Sequence, residues 1–236
     1  MLRVLPLGDS ITAGIVGNDL SASGGYRAPL EKLLADAPRA AVLVGTRTDF
    51  SPGMSQPAHD GWPGYVMRQT SSGAPGQLYG PLVKNAIEAT HPDVILLMIG
   101  TNDFLRYEAT HSTYSPDRMV ESMNLLLGQI FTVAPRVRVI VGAIVNSPKV
   151  DACLVERFDT GRSACDAGTH PSIASVVSGY SKRGYDVHYL PALYELLPRD
   201  AAHFPDGIHP VDGPNGYDAI AHVWYDALEG IQTAGR

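Results

Sequence analysis

The stretch Leu2–Gly14 reads LRVLPLGDSITAG and decides the fold. Its first six residues are almost continuously apolar, as expected of a strand that is buried on both faces of a sheet. Gly8, Asp9 and Ser10 follow directly. In an open parallel sheet, ligands bind at the carboxyl ends of the strands. The stretch therefore predicts a buried first strand with a functional serine at its carboxyl end.

The rest of the chain repeats this organisation, because apolar runs alternate with amphipathic stretches. The predicted strands are Arg3–Leu7, Ala41–Gly45, Val94–Ile99, Val137–Ile144 and Asp186–Leu190. The predicted helices are Tyr26–Ala37, Pro81–Thr90, Pro116–Ala134, His170–Arg183 and Asn215–Glu229. Such alternation is typical of a parallel sheet covered by helices on both faces. We therefore predict an α/β fold with a five-stranded parallel sheet.

Length and charge set the class of protein. With 236 residues, 44% of them hydrophobic, the chain can bury one core and is short for two, so we expect a single domain over residues 1–236. Its net charge is −6. Since no basic cluster of the kind that binds a polyanion is present, we expect no nucleic acid partner.

The apolar runs are all short. The longest, Val94–Gly100, is far below the roughly 20 residues of a membrane-spanning helix, so we expect no membrane span. Residues 2–7 already form the first predicted strand and leave no room for a secretory signal. We expect a secreted protein in its mature form, with a cytosolic protein as the alternative.

Cys153 and Cys165 are the two cysteines, and they flank a polar stretch, residues 154–164, with the composition of an exposed loop. A disulfide between them would close that loop and suits an oxidising compartment. Two unpaired thiols are the alternative. Without clustered histidines the pair does not make a structural zinc site.

Residues 49–77 form a long segment rich in Gly, Pro, Ser and Gln, without a clear period. A loop of this length inside a compact domain is usually functional or disordered. Because it contains the motif His59-Asp60-Gly61-Trp62-Pro63-Gly64-Tyr65, we interpret it as functional.

Ser10 and Asn102 each follow a predicted buried strand. Ser10 is a candidate nucleophile whose own N–H begins an oxyanion hole, although Asp9 and Ser10 could merely cap a turn. The side-chain amide of Asn102 can stabilise an oxyanion, with an Asx-turn as the alternative. Gly64 could add a backbone N–H; the other glycines that compete for that role are Gly53 and Gly61.

The candidate base is His209, with Asp206 three residues before it in the same loop to hold the imidazole. A turn whose histidine only caps is the alternative. The rival pairs Glu108–His111 and Asp200–His203 repeat the spacing but lack the intervening glycine that we expect to let the loop fold back. The remaining candidates are His59 beside Asp60, a weak rival, and His188 and His222, which we expect to pack structurally.

These blocks, Gly8-Asp9-Ser10-Ile11, Gly64, Gly100-Thr101-Asn102-Asp103 and Asp206-Gly207-Ile208-His209-Pro210, occur in the order of the SGNH (GDSL-like) hydrolases, which the chain resembles over residues 3–229. The resemblance implies a three-layer α/β/α, flavodoxin-like fold. It implies Ser10 as nucleophile, His209 as base and Asp206 as its partner. It also implies an oxyanion hole made by the Ser10 and Gly64 amides and the Asn102 side chain.

A finer resemblance concerns the third carbohydrate esterase family. It is carried by Leu5–Thr12, Gly25-Tyr26-Arg27, Val44-Gly45-Thr46, His59–Gly64, and Asp206–Pro210 with the following Gly216-Tyr217 and Trp224. The resemblance implies deacetylation of xylan and other acetylated sugars. The departure from the family is the Asp151–Thr169 insertion with its two cysteines, which could reshape the acyl or sugar pocket.

The expected reaction is two-step acyl transfer through an acyl-enzyme, without metal or organic cofactor. Because an unperturbed histidine titrates near pH 6.5, we expect activity to fall below about pH 6 to 7. The candidate substrate-binding residues beside the motifs are Asp9, Trp62, Tyr65, Asp103, Phe104 and Tyr107; for the aromatic ones local packing is the alternative. The competing functions are an arylesterase, thioesterase or lysophospholipase on small or lipid esters, and a catalytically silent sugar-binding protein.

Overall fold

The computed structural model describes residues 1–17, 21–70, 75–110 and 115–233. The strands are β1 (Leu2–Gly8), β2 (Ile15–Val16), β3 (Ser21–Ala22), β4 (Ala41–Leu43), β5 (Asp60–Gly61), β6 (Val94–Met98), β7 (Arg138–Gly142) and β8 (Val187–Leu190). The helices are α1 (Ser10–Ala13), α2 (Arg27–Ala35), α3 (Pro81–Thr90), α4 (Thr101–Thr110), α5 (Pro116–Val133), α6 (Ala152–Thr160), α7 (Ile173–Lys182) and α8 (Tyr217–Thr233).

The central sheet has the strand order β4-β1-β6-β7-β8, and all neighbouring pairs are parallel. The short β5 adds a second parallel partner at the carboxyl end of β1. Numbered along the chain, the five long strands have the order 2-1-3-4-5 of the flavodoxin-like sheet. The predicted α/β fold and its five-stranded parallel sheet are thus confirmed, with β5 as a small addition.

Helices cover both faces of the sheet, because the strands alternate their apolar side chains between two cores. On β6, Ile95 and Leu97 pack with α3, α5, α6 and α7, whereas Leu96 and Met98 pack with α2 and α8. This alternation follows from the two-residue period of a strand. Among the described residues, no helix is long and apolar enough to cross a membrane.

Three helices were not among those predicted from the sequence, namely α1, α4 and α6. The polar stretch between the cysteines was predicted to be a loop, but α6 begins just before Cys153 and extends into this stretch. Asp151 caps the helix by accepting the backbone N–H groups of Cys153 and Leu154. Val155 and Phe158, three residues apart, bury one face of this helix. Cys153 is joined to Cys165 by a disulfide, with Cα atoms 5.8 Å apart.

Candidate active site

The site begins where two neighbouring strands end. β1 and β6 pair in parallel with Gly8 opposite Met98, so the residues that follow each strand meet at one edge of the sheet. A Cβ on Gly8 would lie 2.1 Å from the Met98 carbonyl oxygen. Only glycine permits this close approach. Ser10 and Asn102, about a hundred residues apart, are brought to the same edge in this way.

Ser10 is the first residue of the short helix α1, and Asp9 caps that helix by accepting the Ile11 N–H at 3.0 Å. The end of α1 is fixed by Arg27, whose buried guanidinium donates to the carbonyl oxygens of Thr12 (2.8 Å) and Ala13 (2.9 Å). The same side chain donates to four groups of the long loop, namely Ser51 Oγ, Met54 Sδ, the Phe50 carbonyl and the Pro57 carbonyl. Arg27 therefore ties the long loop to the helix that carries Ser10.

His209 lies between Ser10 and Asp206. Its Nε2 is 2.8 Å from Ser10 Oγ, and its Nδ1 is 2.6 Å from Asp206 Oδ2. Because Asp206 accepts a hydrogen bond from the N–H at Nδ1, Nε2 carries no proton and can accept a hydrogen bond from the serine hydroxyl. All three side chains are buried, with relative exposures of 7–8%. A continuous chain of hydrogen bonds thus joins a hydroxyl, an imidazole and a carboxylate.

Asp206 is also held in place by hydrogen bonds from the backbone. Its Oδ1 accepts the backbone N–H groups of Ile208 (2.8 Å) and His209 (2.7 Å). Burial raises the pKa of Asp206, but these amides and the imidazole outweigh burial and hold the pKa below its ordinary value. The carboxylate is therefore ionised at neutral pH and orients the imidazole.

Two further segments, α4 and the long loop, are joined to this edge by hydrogen bonds. Asn102 Nδ2 donates to the Tyr65 carbonyl oxygen at 3.0 Å, and the Trp62 N–H donates to the Gly8 carbonyl oxygen at 2.9 Å. These two bonds join α4, the long loop and β1. Of the competing glycines, Gly61 already donates its N–H to His59 Nδ1. Within the described ranges, no residue accepts the N–H of Gly64.

Asp9 and Asp103 are each 1% exposed, so the expectation that they contact substrate is wrong for their side chains. Each carboxyl accepts one backbone N–H, from Ile11 and Met67 respectively. Burial raises the pKa of Asp9 to about 7 and that of Asp103 well above its ordinary value, where the Asp9 charge adds to the effect. Both carboxyls support the backbone beneath the site.

The other candidates for substrate contact differ in accessibility. Trp62 and Tyr65 are half-buried neighbours with ring centroids 5.3 Å apart, and the Arg47 guanidinium lies over the Trp62 ring at 4.2 Å. Phe104 is fully buried against Phe158, which makes it a core residue. The side chain of Tyr107 lies outside the described part of the chain.

His59, the weak rival base, is engaged in other hydrogen bonds. His59 is fully buried: its Nδ1 accepts from Gly61 and its Nε2 donates to the Asp49 carbonyl oxygen, and burial lowers its pKa to about 4. His111 lies outside the described residues, and the side chain of Glu108 is likewise not described. His188 and His222 lie on β8 and α8 as expected, but both are exposed rather than packed.

The Asp200–His203 pair corrects one step of the sequence reasoning. Asp200 Oδ1 accepts His203 Nδ1 at 2.7 Å and the backbone N–H of His203 at 3.1 Å, with no glycine between the two residues. A glycine is thus not required for this fold-back. Gly207 is needed for another reason, because its φ is +80° and a Cβ there would lie 2.9 Å from Lys149 Cγ.

Sequence reasoning assigned no role to two arginines. Arg27 belongs to the Gly25-Tyr26-Arg27 motif, which predicts no contact for it, and Arg47 belongs to none of the quoted motifs. A signal for Arg27 was available, since a basic residue near the start of an otherwise apolar helix face has to find acceptors when it is buried. The contact of Arg47 with Trp62 depends on tertiary structure and has no signal in the sequence.

The sequence profile of the GDSL-like Lipase/Acylhydrolase family matches residues 7–219. A curated relative, the "Multidomain esterase" of Ruminococcus flavefaciens, is 28% identical over 257 residues, which cover 99% of this chain and 29% of that protein. The chain thus spans less than a third of the length of the curated relative it matches.

Two solved structures are similar in fold. The family 3 carbohydrate esterase of Clostridium thermocellum superposes with a TM-score of 0.71 at 24% identity, covering 99% of this chain and 98% of that one. An acetyl esterase mutant determined with an acetate ion gives a TM-score of 0.68 at 21% identity, again covering 99% and 98%. At these identities the likeness establishes the fold alone.

Proposed function

Because the chain belongs to the GDSL-like lipase/acylhydrolase family of ester hydrolases, we propose that it is a serine esterase that removes acetyl groups from carbohydrate esters such as acetylated xylan. The observation that carries the catalytic part is the hydrogen-bonded chain Ser10–His209–Asp206, with distances of 2.8 and 2.6 Å. These three side chains act as nucleophile, general base and orienting carboxylate.

In the first step, His209 Nε2 takes the proton of the Ser10 hydroxyl while Oγ attacks the ester carbonyl carbon. The resulting imidazolium is stabilised by the Asp206 carboxylate. Collapse of the tetrahedral intermediate transfers that proton to the leaving sugar oxygen and leaves an acyl-serine. In the second step, His209 activates a water that hydrolyses the acyl-serine and releases acetate.

The developing oxyanion is held by the N–H groups of Ser10 and Gly64 and by the Asn102 amide. Asn102 has two N–H donors, and the bond of one to the Tyr65 carbonyl orients the second toward the substrate. Because the Trp62 N–H anchors the same loop to β1, the donors are fixed before substrate binds. Donors that need no rearrangement stabilise a transition state most effectively.

The carbohydrate part of the proposal is supported by two observations. The structures that resemble this chain include a protein described as a family 3 carbohydrate esterase and one described as an acetyl esterase with acetate. In addition, Trp62 and Tyr65 form a half-buried aromatic surface beside Gly64. An apolar ring face with a polar edge is suited to stack against a sugar ring.

Relative rates on acetyl, butyryl and octanoyl nitrophenyl esters test the acyl specificity. The proposal predicts the highest kcat/KM on the acetyl ester. Faster turnover of the octanoyl ester would contradict acetyl specificity and favour a lipid or aryl ester substrate instead.

Labelling with a fluorophosphonate separately tests the nucleophile. The wild type should be labelled at Ser10, whereas Ser10→Ala should not be labelled. Ser51→Ala is the matched control, because its hydroxyl is also hydrogen-bonded but donates to backbone carbonyls; this variant should label like the wild type. Absence of labelling in the wild type would favour a sugar-binding protein without catalysis.

A further inference from the structure

Two buried aspartates stand beside the reacting groups of the site. Asp9 directly precedes Ser10, and Asp103 directly follows Asn102. Because β1 and β6 are neighbouring parallel strands, the two aspartates lie at the same edge of the sheet. Each is 1% exposed. Both side chains can therefore affect the reaction only through the protein groups that they hold, and not through contact with substrate.

Each carboxyl holds the backbone of a segment that carries the site. Asp9 Oδ1 accepts the Ile11 N–H at 3.0 Å and so caps α1, the helix that begins with the nucleophile. Asp103 Oδ2 accepts the Met67 N–H at 3.1 Å, which joins α4 to the long loop that contains Gly64. The first bond thus positions the nucleophile, and the second positions the two segments that supply the proposed oxyanion donors.

The two carboxyls are electrostatically coupled. Burial raises the pKa of Asp103 well above its ordinary value, and the charge of Asp9 raises it further. The groups that favour ionisation are outweighed; they include the Thr101 hydroxyl for Asp9 and the Arg106 guanidinium for Asp103. Like charges repel each other strongly where water does not screen them. The pair therefore holds one negative charge far more easily than two.

Two phenols also face Asp9. Burial is the main cause that raises the pKa of Tyr26 on α2 and of Tyr217 on α8, and the Asp9 charge raises both further. Tyr26 donates to Thr12 Oγ1 at 3.3 Å, and Tyr217 donates to the Ile15 carbonyl oxygen at 2.6 Å. Further charged or titratable groups on neighbouring elements, each engaged in its own hydrogen bonds, are Arg27, Asp206 and His209. The two phenols stay neutral while the aspartates titrate.

We propose that Asp9 and Asp103 are coupled positioning residues, which hold Ser10 and the oxyanion donors in the reactive arrangement only while the pair carries at most one negative charge. A second charge would push the carboxyls apart and move the α1 cap and the Met67 amide with them. A displacement of about 1 Å in an active site can cost about 100-fold in rate. The inference rests on the proposed serine mechanism.

The expected pH profile of kcat is bell-shaped. On the acid side, His209 is protonated and cannot act as the base. On the alkaline side, Asp9 ionises first, because burial raises its pKa to about 7, and the remaining proton of the pair is on Asp103. A carboxyl is neutral below its pKa and charged above it, so the second charge appears only as the pH rises further. Activity is therefore full near neutral pH and is lost toward alkaline pH.

Measurement of kcat and KM on nitrophenyl acetate from pH 5 to pH 9.5 tests the proposal, with the rate of Ser10→Ala subtracted at each pH. Wild-type kcat should fall at least about tenfold between neutral pH and pH 9.5, with KM changed much less. Asp9→Asn and Asp103→Asn each keep a side-chain oxygen for the backbone N–H, and asparagine is also a favourable helix cap. Each variant limits the pair to one charge, so each should lose the alkaline fall and keep the acid fall.

Asp159→Asn is the matched control, because it also removes a buried carboxyl with a raised pKa, but one that lies on α6 beside Tyr189. Its kcat profile should follow the wild type. The proposal is overturned by a wild-type kcat that stays flat from pH 7 to pH 9.5, or by an alkaline fall that persists in either Asp9→Asn or Asp103→Asn. It is also overturned if the fall disappears in Asp159→Asn, since unfolding of the whole protein would then be its cause. Equal rates of the wild type and Ser10→Ala would instead contradict the serine mechanism itself.

Discussion

Replacing Asp206 by Asn should abolish most of the activity by reversing the tautomer of His209. Two backbone N–H groups, from Ile208 at 2.8 Å and His209 at 2.7 Å, point at Oδ1 of Asp206. The amide of an asparagine would therefore place its oxygen toward these donors and its NH₂ group toward His209 Nδ1. Nδ1 would then have to accept, and the ring proton would move to Nε2. With its proton on Nε2, the imidazole cannot take the proton of Ser10.

The size of the effect follows from this orientation. If the asparagine amide flipped, its NH₂ group would face the backbone N–H groups of Ile208 and His209, and both hydrogen bonds would be lost. Each N–H group left unpaired would cost about 1–3 kcal/mol of stability. The wrong tautomer is thus strongly favoured. The corresponding change in a well-studied serine hydrolase lowers kcat about 10⁴-fold, which is about 5.5 kcal/mol. We expect a loss of kcat of about this size on nitrophenyl acetate at pH 8, with KM changed much less.

The structure supplies a matched control. Asp200 accepts hydrogen bonds from the His203 ring and from the backbone N–H groups of Ala202 and His203. This arrangement is nearly the same as that of Asp206, but it lies on the protein surface. Asp200→Asn should therefore retain wild-type kcat. A loss of less than tenfold in Asp206→Asn, or an equal loss in both variants, would refute the assignment of Asp206 as the orienting carboxylate.

Three further changes test other parts of the site and fold. Asn102→Ala should lower kcat about 10²- to 10³-fold by removing one oxyanion donor, measured on nitrophenyl acetate with thermal unfolding as the check on folding. Arg27→Lys should lower the free energy of urea unfolding by about 3 kcal/mol, because one ammonium cannot reach all the carbonyl oxygens that the guanidinium satisfies, and unchanged stability would contradict that role. The Asp159→Asn variant should become more stable than the wild type as the pH rises. The carboxyl has its pKa raised from 3.8 to about 8, so the unfolded chain releases a proton that the folded chain keeps between these values. The wild type should therefore lose stability relative to the variant as the pH rises from 4 to 9, measured by urea unfolding at each pH.

The sequence predicted best where local signals and burial agree. Helix α3 begins and ends at the predicted residues, because Pro81 occupies its first position and Pro92 follows its end. The strands β1 and β6 were found because both are buried on two faces and are therefore continuously apolar. The order of these strands brings Ser10 and Asn102 together.

The parts that sequence reasoning missed depend on contacts between distant segments. Helix α6 is missed because its polar face dominates its composition, although Val155 and Phe158 indicate one buried face. Burial of Asp9 and Asp103 could not be predicted, because acidic side chains are rarely fully buried without a charged partner. The comparison of Asp206 with Asp200 shows that local spacing does not identify a base. What distinguishes His209 from His203 is that His209 reaches Ser10, and only the fold determines this.

The measurement that tests the central claim most directly is release of acetate from acetylated xylan by the wild type and by Ser10→Ala in parallel. The proposed function predicts steady release by the wild type and none above background by the variant. Release by both proteins would contradict Ser10 as the nucleophile. A wild type that cleaves nitrophenyl acetate but releases no acetate from xylan would contradict the proposed substrate and leave the serine mechanism in place.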